Sequence, residues 1–256
     1  MFPLGSIRLA IAAPLLAAAL GLHGVAQAQL VSAPAWGVGL GVSLKRPAYT
    51  GFGTDTTVIP LLSYENRWVR FAGPVVDLKL PVGGAVALGL RARYAFEDGY
   101  EPGDAPGLAG MSERRPGLWL GASALWRSGV ADLSAEWLAD ASGRSDGQRL
   151  RLMAERPFVQ GSFHLVPRVA LHWHDRRSVG YYYGVRPTEA ATGRPAYGGR
   201  STVNAELGLR TSYALTASQG LYLDLSATRL GSGIQDSPLV DRGAETAVRF
   251  GYLYRF

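Results

Sequence analysis

Regular alternation of apolar and polar residues is the sequence feature that most limits what this chain can fold into. From Ala244 to Phe256 every second side chain is apolar, aromatic or threonine, and the residues between them include Glu245, Arg249 and Arg255. Successive side chains of a β-strand point to opposite faces, so this spacing indicates a strand between two different environments. Apolar stripes at helical spacing are absent beyond the N-terminal segment. The sequence therefore predicts an all-β fold.

The same alternation recurs along the chain, with weaker patterns in the N-terminal third. Pro60 and Pro167 each lack the N–H group that a strand ladder uses, so we expect bulges or strand ends at both positions. The pattern predicts about twelve strands, at residues 36–44, 56–64, 67–72, 75–81, 85–96, 118–126, 131–137, 149–154, 165–174, 203–210, 221–228 and 244–256.

The apolar side of so many strands needs an apolar partner, which is either a second sheet or lipid. The connections favour lipid. Those after alternate strands are short, for example Arg156–Gln160, whereas 45–55, 97–116, 175–200 and 230–243 are long. Short periplasmic turns and long extracellular loops are typical of outer-membrane barrels. We therefore predict a closed antiparallel transmembrane β-barrel in contact with outer-membrane lipid. A soluble sandwich or a lipocalin-like barrel is the alternative.

Residues 1–28 are predicted to be a secretory signal peptide and not part of the fold. Arg8 precedes an apolar run from Leu9 to Leu22, and Ala26 and Ala28 occupy the small-residue positions before a cleavage site. The run is too short and too rich in alanine for a transmembrane helix. Cleavage after Ala28 leaves residues 29–256 as the barrel domain, and an uncleaved anchor is the alternative.

Composition excludes several kinds of chemistry. The chain has no cysteine, which excludes disulfides, thiolate catalysis and cysteine-bound metals. Its net charge is +6, but the basic residues are scattered and not in runs. Nucleic acid is therefore not a predicted partner. No glycine-rich phosphate-binding motif is present, and no cofactor is predicted.

Short motifs in a fixed order carry a resemblance to a known family. The motifs are Pro47–Gly51, Pro60–Tyr64, Arg70–Pro74, Tyr181–Val185, Glu189-Ala190, Tyr197 and Asp236–Asp241. On these residues, and on the aromatic terminus that follows them, the chain resembles the MipA/OmpV family of MltA-interacting proteins. Phe256, with aromatic residues at spacing two before it, also resembles the C-terminal signature that outer-membrane assembly machinery reads.

The resemblance implies an outer-membrane barrel without agreed catalytic residues, so no catalytic, cofactor-binding or metal-binding residue is predicted. For the founding member it implies a scaffold that links a lytic transglycosylase to a bifunctional peptidoglycan synthase, a penicillin-binding protein. We therefore expect a non-enzymatic scaffold for peptidoglycan-remodelling enzymes in the cell outer membrane. A small-solute or osmotic pore and a surface adhesin are the alternatives. On the predicted topology, a murein partner has to meet the short turns or the N-terminal segment.

One dense group of titratable residues contains His172, His174 and Asp175. Alternation places both imidazoles on one face, pointing into the lumen near the outer rim. Such residues suit a metal site or the His/Asp dyad of a hydrolase. A polar lumen lining is the alternative, because neither a third ligand nor a partner nucleophile is evident.

Charged residues of both signs occupy the same predicted lumen face. They predict either the lining of a water-filled channel or ion pairs that fill the interior, and the sequence leaves both open. The residues are Asp132, Glu136, Arg149, Arg151, Arg168, Glu206, Arg210, Asp224, Glu245 and Arg249.

Overall fold

The computed structural model describes residues 35–256, so the predicted signal peptide lies outside the described residues. The described chain forms one antiparallel sheet. Its strands are β1 Ala35–Arg46, β2 Asp55–Glu65, β3 Val69–Ala72, β4 Val75–Leu80, β5 Val86–Tyr94, β6 Leu118–Arg127, β7 Asp132–Asp140, β8 Gln148–Glu155, β9 Phe158–Gln160, β10 Phe163–His174, β11 Thr202–Ala214, β12 Gln219–Arg229 and β13 Ala244–Arg255.

The sheet closes into a barrel. β1 pairs with both β2 and β13, and β10 pairs with both β8 and β11, so the ladder has no end. β9 also pairs with β10 and is separated from β8 only by Arg156 and Pro157. β8 and β9 therefore act as one interrupted barrel strand. The predicted closed barrel of about twelve antiparallel strands is confirmed.

The outward face of the barrel is an apolar belt. Leu40, Val169 and Leu207 are 56%, 55% and 65% exposed, and tryptophans such as Trp36 and Trp126 lie near the strand ends. An apolar surface of this size on a closed sheet marks contact with lipid. Because lipid offers no hydrogen bonds, an open edge along the whole sheet is costly there, which explains the closure.

Short turns join the strands at one end of the barrel and longer connections join most of them at the other. The short-turn end is the periplasmic end of such barrels. The connection predicted at Arg156–Gln160 is wrong, because Phe158–Gln160 is strand β9 and the chain turns at Gly161, where φ is +59°.

The strand ends or bulges predicted at the two prolines are also wrong, since both residues lie inside strands. Pro167 accepts a hydrogen bond from Arg156 N at 3.2 Å but has no N–H to return. The interruption therefore falls in the neighbouring strand, at Arg156 and Pro157. Pro60 pairs in register with Leu40 of β1.

The hairpin of β3 and β4 is much shorter than its neighbours. β3 pairs only with Ser63–Glu65 of β2, and the hairpin turns at Gly73 and Pro74. Among the described residues, Asp55–Leu62 of β2 therefore has a strand neighbour on the β1 side alone. This short hairpin leaves the wall of the barrel incomplete near the long loops.

The long connections contain the only helices of the described chain. These are α1 Arg176–Tyr182, α2 Ser232–Gln235 and 3-10 turns at Pro106–Leu108 and Pro187–Glu189. Asp175 begins α1, because its Oδ1 accepts a hydrogen bond from Ser178 N at 2.8 Å. Within residues 35–256, no helix is long and apolar enough to cross a membrane.

Candidate functional site

The long connections fold over one end of the barrel and pack on one another. We call this layer the cap, made of residues 47–54, 95–117, 175–201 and 230–243. Leu108 and Leu239, from different connections, are fully buried in it. Burial of apolar side chains drives these segments together, as in a protein core. The main cluster contains Tyr49, Tyr100, Ala105, Leu108, Met111, Val185 and Leu239.

The motifs that carry the family resemblance meet in the cap. Pro47–Gly51, Tyr181–Val185 and Asp236–Asp241 are far apart in sequence but adjacent in space. Tyr49 Oη donates a hydrogen bond to Tyr182 O at 3.2 Å, and the backbone N–H of residue 50 donates to the carbonyl of residue 239 at 2.8 Å. These motifs therefore fix how the connections pack together.

A buried ion pair lies at the centre of the cap. Arg114 Nη2 is 2.7 Å from Glu189 Oε2, and their side chains are only 1% and 4% exposed. Arg114 Nε also donates to Tyr181 O at 2.7 Å, and Glu189 accepts hydrogen bonds from the backbone N–H groups of Ser112 and Arg186. Burial works against the charge of Glu189, but Arg114 and these donors outweigh it and lower its pKa to about 2.

One part of the cap enters the lumen. This inward segment, Phe96–Asp98, follows the end of β5. Glu97 Oε2 is 2.8 Å from Arg249 Nη2, and Asp98 Oδ2 is 2.5 Å from Arg149 Nη1. Burial opposes the charge of Glu97, but the positive charges of Arg249 and Lys45 together outweigh it and lower the Glu97 pKa. Phe96 packs against an apolar cluster inside the barrel, formed by Ile59, Leu61, Tyr222 and Leu253.

Ion pairs fill the middle of the lumen. Arg168 Nη1 is 2.7 Å from Asp224 Oδ2, and Arg168 Nε is 2.7 Å from Glu206 Oε1. Asp224 also pairs with Arg210 at 3.1 Å. A second group joins Arg91 and Arg93 to Glu136 across β5 and β7. The charges on the lumen face are therefore largely paired with one another, as one of the two interiors predicted from the sequence requires.

The three titratable residues singled out from the sequence do not form one centre. His172 Nε2 is 2.9 Å from Glu206 Oε2, so His172 joins the lumen network. Asp175 instead caps helix α1. His174 faces two cavities in the barrel. Among residues 35–256, no group of three or more His, Asp or Glu side chains is arranged to hold a metal ion.

Two cavities inside the barrel lie close to the cap and the ion pairs. The larger, of about 630 Å³, lies between the cap and the wall near β2, and the smaller, of about 420 Å³, lies in the lumen beside the ion pairs. Lys45, Asp98, Arg149 and Glu245 line both cavities. Lys45 Nζ is 3.5 Å from Glu245 Oε2. Sequence reasoning placed Lys45 and Asp98 in external loops and so missed both residues.

A closed barrel of this size, with an apolar outer belt and a charged interior, defines the class of outer-membrane β-barrel proteins. The chain belongs to the family of the MltA-interacting protein MipA, whose model matches residues 38–256. The cell outer membrane is accordingly its location.

Relatives agree with this class. The MltA-interacting protein of Escherichia coli strain K12 is 23% identical over 222 residues, which cover 86% of this chain and 89% of that protein. Outer membrane protein OmpV of Vibrio cholerae is 26% identical over 157 residues, 61% of each chain. An outer membrane channel from Pseudomonas putida F1 has a similar fold, with a TM-score of 0.45, 13% identity, and coverage of 91% of this chain and 99% of that one.

Proposed function

We propose that this protein is a closed outer-membrane barrel that serves as a scaffold for peptidoglycan-remodelling enzymes, with a lytic transglycosylase and a penicillin-binding protein as partners. The filled lumen is the observation that supports this most directly. Arg168, Glu206 and Asp224 join three neighbouring strands on the lumen face, and the cap covers the outer end. Such a barrel is better suited to hold a partner than to pass solutes. A relative that aligns over most of the chain is named for its interaction with MltA.

A partner in the periplasm meets the short-turn end of the barrel. Three apolar side chains project from turns there, where polar residues are the usual choice. Val82, Val130 and Leu215 are 46%, 69% and 46% exposed. Exposed apolar side chains on separate turns of one rim supply anchors for a protein surface. These three residues are our candidates for the binding face.

Replacing all three with Asp should reduce recovery of the lytic transglycosylase about tenfold or more, because truncation of a single anchor residue in an interface costs about 2 kcal/mol or more. The measurement is a crosslinking pull-down from intact cells, with an affinity tag inserted at Gly143 in the exposed connection between β7 and β8. Quantitative mass spectrometry then compares the enzymes recovered from each variant.

Ala196→Asp is the matched control, since it places the same charge on an exposed position of the cap. Its recovery should equal that of the unmodified protein. If the triple variant recovers as much lytic transglycosylase as the unmodified protein, the three turns do not belong to the interface. Failure of the unmodified protein to recover any murein enzyme would count against the scaffold itself.

We propose further that the barrel is not an enzyme. The relatives found are named as interacting or outer membrane proteins and not as enzymes. Asp175 is engaged as a helix cap and His172 is engaged with Glu206, so the arrangement does not supply an oriented dyad. The expectation that no residue is catalytic remains a prediction.

A further inference from the structure

The wall of the barrel has an opening on the side that faces lipid. Beyond the β3–β4 turn, Asp55–Leu62 of β2 has no strand beside it, and the next segment around the wall is Tyr94–Phe96 at the end of β5. Three strand spacings of about 4.8 Å place that segment roughly 14 Å away. The β3–β4 turn at Gly73 and Pro74 forms the lower border, level with Tyr94. The cap forms the upper border, where Phe52 packs against the cap cluster that contains Tyr100. We call this opening the side window.

The β2 edge of the window is poorly suited to pairing with a further strand. Leu62 O accepts a hydrogen bond from Gly73 N at 3.3 Å, which shows that Leu62 and its alternate neighbours direct their backbone groups toward the window. Pro60 is the next such residue and has no N–H to leave unpaired. An edge interrupted by proline is poorly suited to accept an added strand. The window therefore suits a small molecule better than a peptide.

The larger cavity lies directly behind the window. Val58 and Pro60 on one side and Tyr94 and Phe96 on the other line both the window and the cavity. Its volume of about 630 Å³ is within the range of small-molecule sites, which is roughly 300–1,000 Å³. Because this half of the barrel lies next to the long loops, the window faces the outer leaflet of the membrane.

Charge in the cavity indicates which polar group fits there. Seven carboxylates and three basic side chains line it. Each of the three bases already has a carboxylate partner: Lys45 has Glu245, Arg114 has Glu189, and Arg149 has Asp98. Just outside the lining, Arg249 pairs with Glu97 and Arg115 pairs with Glu113. The excess is therefore negative, and it lies near Asp55 and Glu101.

Aromatic and hydroxyl groups reinforce this preference for a cation. Tyr100 and Tyr182 line the cavity, are almost fully buried, and have hydroxyl groups without a hydrogen-bond partner among the described residues. Burial raises the pKa of Tyr100 to about 12, so its hydroxyl stays neutral. A neutral hydroxyl can accept a hydrogen bond from an ammonium group, and the rings of Tyr94 and Phe96 can stack against its methyl or methylene groups.

We propose that the side window admits a cationic amphiphile from the outer leaflet, with its apolar chain against Val58, Pro60 and Phe96 and its ammonium group in the acidic cavity behind them. The site is separate from the periplasmic turns of the proposed scaffold. Each of the two proposals can therefore fail without the other.

Photolabelling in lipid nanodiscs tests this directly. The probe is a dodecylammonium that carries a diazirine in its chain, and the competitors are dodecyltrimethylammonium and dodecanoate. We expect label on residues 56–60 and 94–96, and competition by the cation at about tenfold lower concentration than by the carboxylate. Label spread evenly along the apolar belt, or equal competition by both amphiphiles, would overturn the proposal.

Two kinds of variant test separately the acidic charge of the cavity and the passage of the amphiphile through the window. Asp55→Asn with Glu101→Gln should bring the two competitors within about threefold of each other, whereas the exposed control Glu65→Gln at the other end of β2 should keep the difference. Thr57 lies on the same face of β2 as Ile59 and lines the cavity, so Thr57→Trp fills the cavity behind the window and should lower labelling at least tenfold. Folding is checked by the heat-dependent mobility of each barrel on gels. Labelling unaffected by Thr57→Trp, or blocked by an extended peptide and not by the amphiphile, would contradict entry of an amphiphile through the window.

Discussion

The unmodified barrel is expected to carry no ionic current in a planar bilayer, and the double variant Arg168→Ser, Asp224→Ser is expected to conduct in discrete steps. The two side chains are buried on the lumen face of β10 and β12 and lie 2.7 Å apart. Removing one base and one acid together keeps the charge balance of the lumen network, whereas removing either alone leaves a net buried charge, which costs about 3–5 kcal/mol and endangers the fold. Single-channel recording of both proteins, purified in the same detergent, gives the comparison.

The control is Arg127→Ser with Asp132→Ser, which makes the same exchange of residues at the periplasmic end of β6 and β7. This control variant should carry no ionic current. Steps from the unmodified protein would favour a small-solute pore over a closed scaffold. If the double variant is silent, the cap and inward segment alone must close the barrel, and adding Glu97→Ser with Asp98→Ser then tests the inward segment.

The barrel was predictable because the alternation of apolar and polar residues reflects the two environments of a strand, lipid on one face and the lumen on the other. Leu40 and Phe250 face lipid while Gly41 and Arg249 face inward, and these faces match the sequence pattern. A period of two fixes which side of the sheet a residue occupies, since each step along a strand reverses the side. The interruption between β8 and β9 was predicted as a connection at Arg156–Gln160, because alternation alone does not distinguish an interrupted strand, here with Pro157 in the break, from a turn.

The interior of the cap was not predictable in the same way. Irregular connections have no period, so nothing in the sequence indicated that Glu97 and Asp98 turn inward to meet arginines more than fifty residues away. Ile59 and Leu61 are a related case, because they are apolar residues on the lumen face. Alternation treats them as part of an ordinary strand, and only Phe96, entering from the cap, explains what they pack against.

The family motifs show how far sequence could go beyond the barrel. Glu189 was marked by resemblance alone, without any physical role. In the structure it is the buried partner of Arg114, a residue that no motif included. Resemblance thus identified one half of an interaction, and the geometry of the cap supplied the other half.

Arg114→Ala is expected to loosen the cap without unfolding the barrel. The change leaves Glu189 buried and unpaired, at a cost of about 3–5 kcal/mol, which increases opening of the cap by roughly two to three orders of magnitude. Hydrogen exchange followed by mass spectrometry should show faster exchange in residues 99–116 and 183–200, with β1 and β13 unchanged. The double variant Arg114→Met, Glu189→Gln removes both charges and should exchange more slowly than Arg114→Ala.

The same pair makes the cap sensitive to acid. The pKa of Glu189 is lowered from 4.5 to about 2, so its ionised form stabilises the closed cap fully above about pH 4.5. That contribution is lost as the pH falls from 4.5 toward 2, because Glu189 then takes up a proton while Arg114 keeps its charge. Exchange in the cap should therefore accelerate over this range in the unmodified protein, after correction for the intrinsic rate. In Glu189→Gln the acceleration should be much smaller. An identical acid response in this variant would show that other carboxylates cause the sensitivity and that titration of Glu189 does not open the cap.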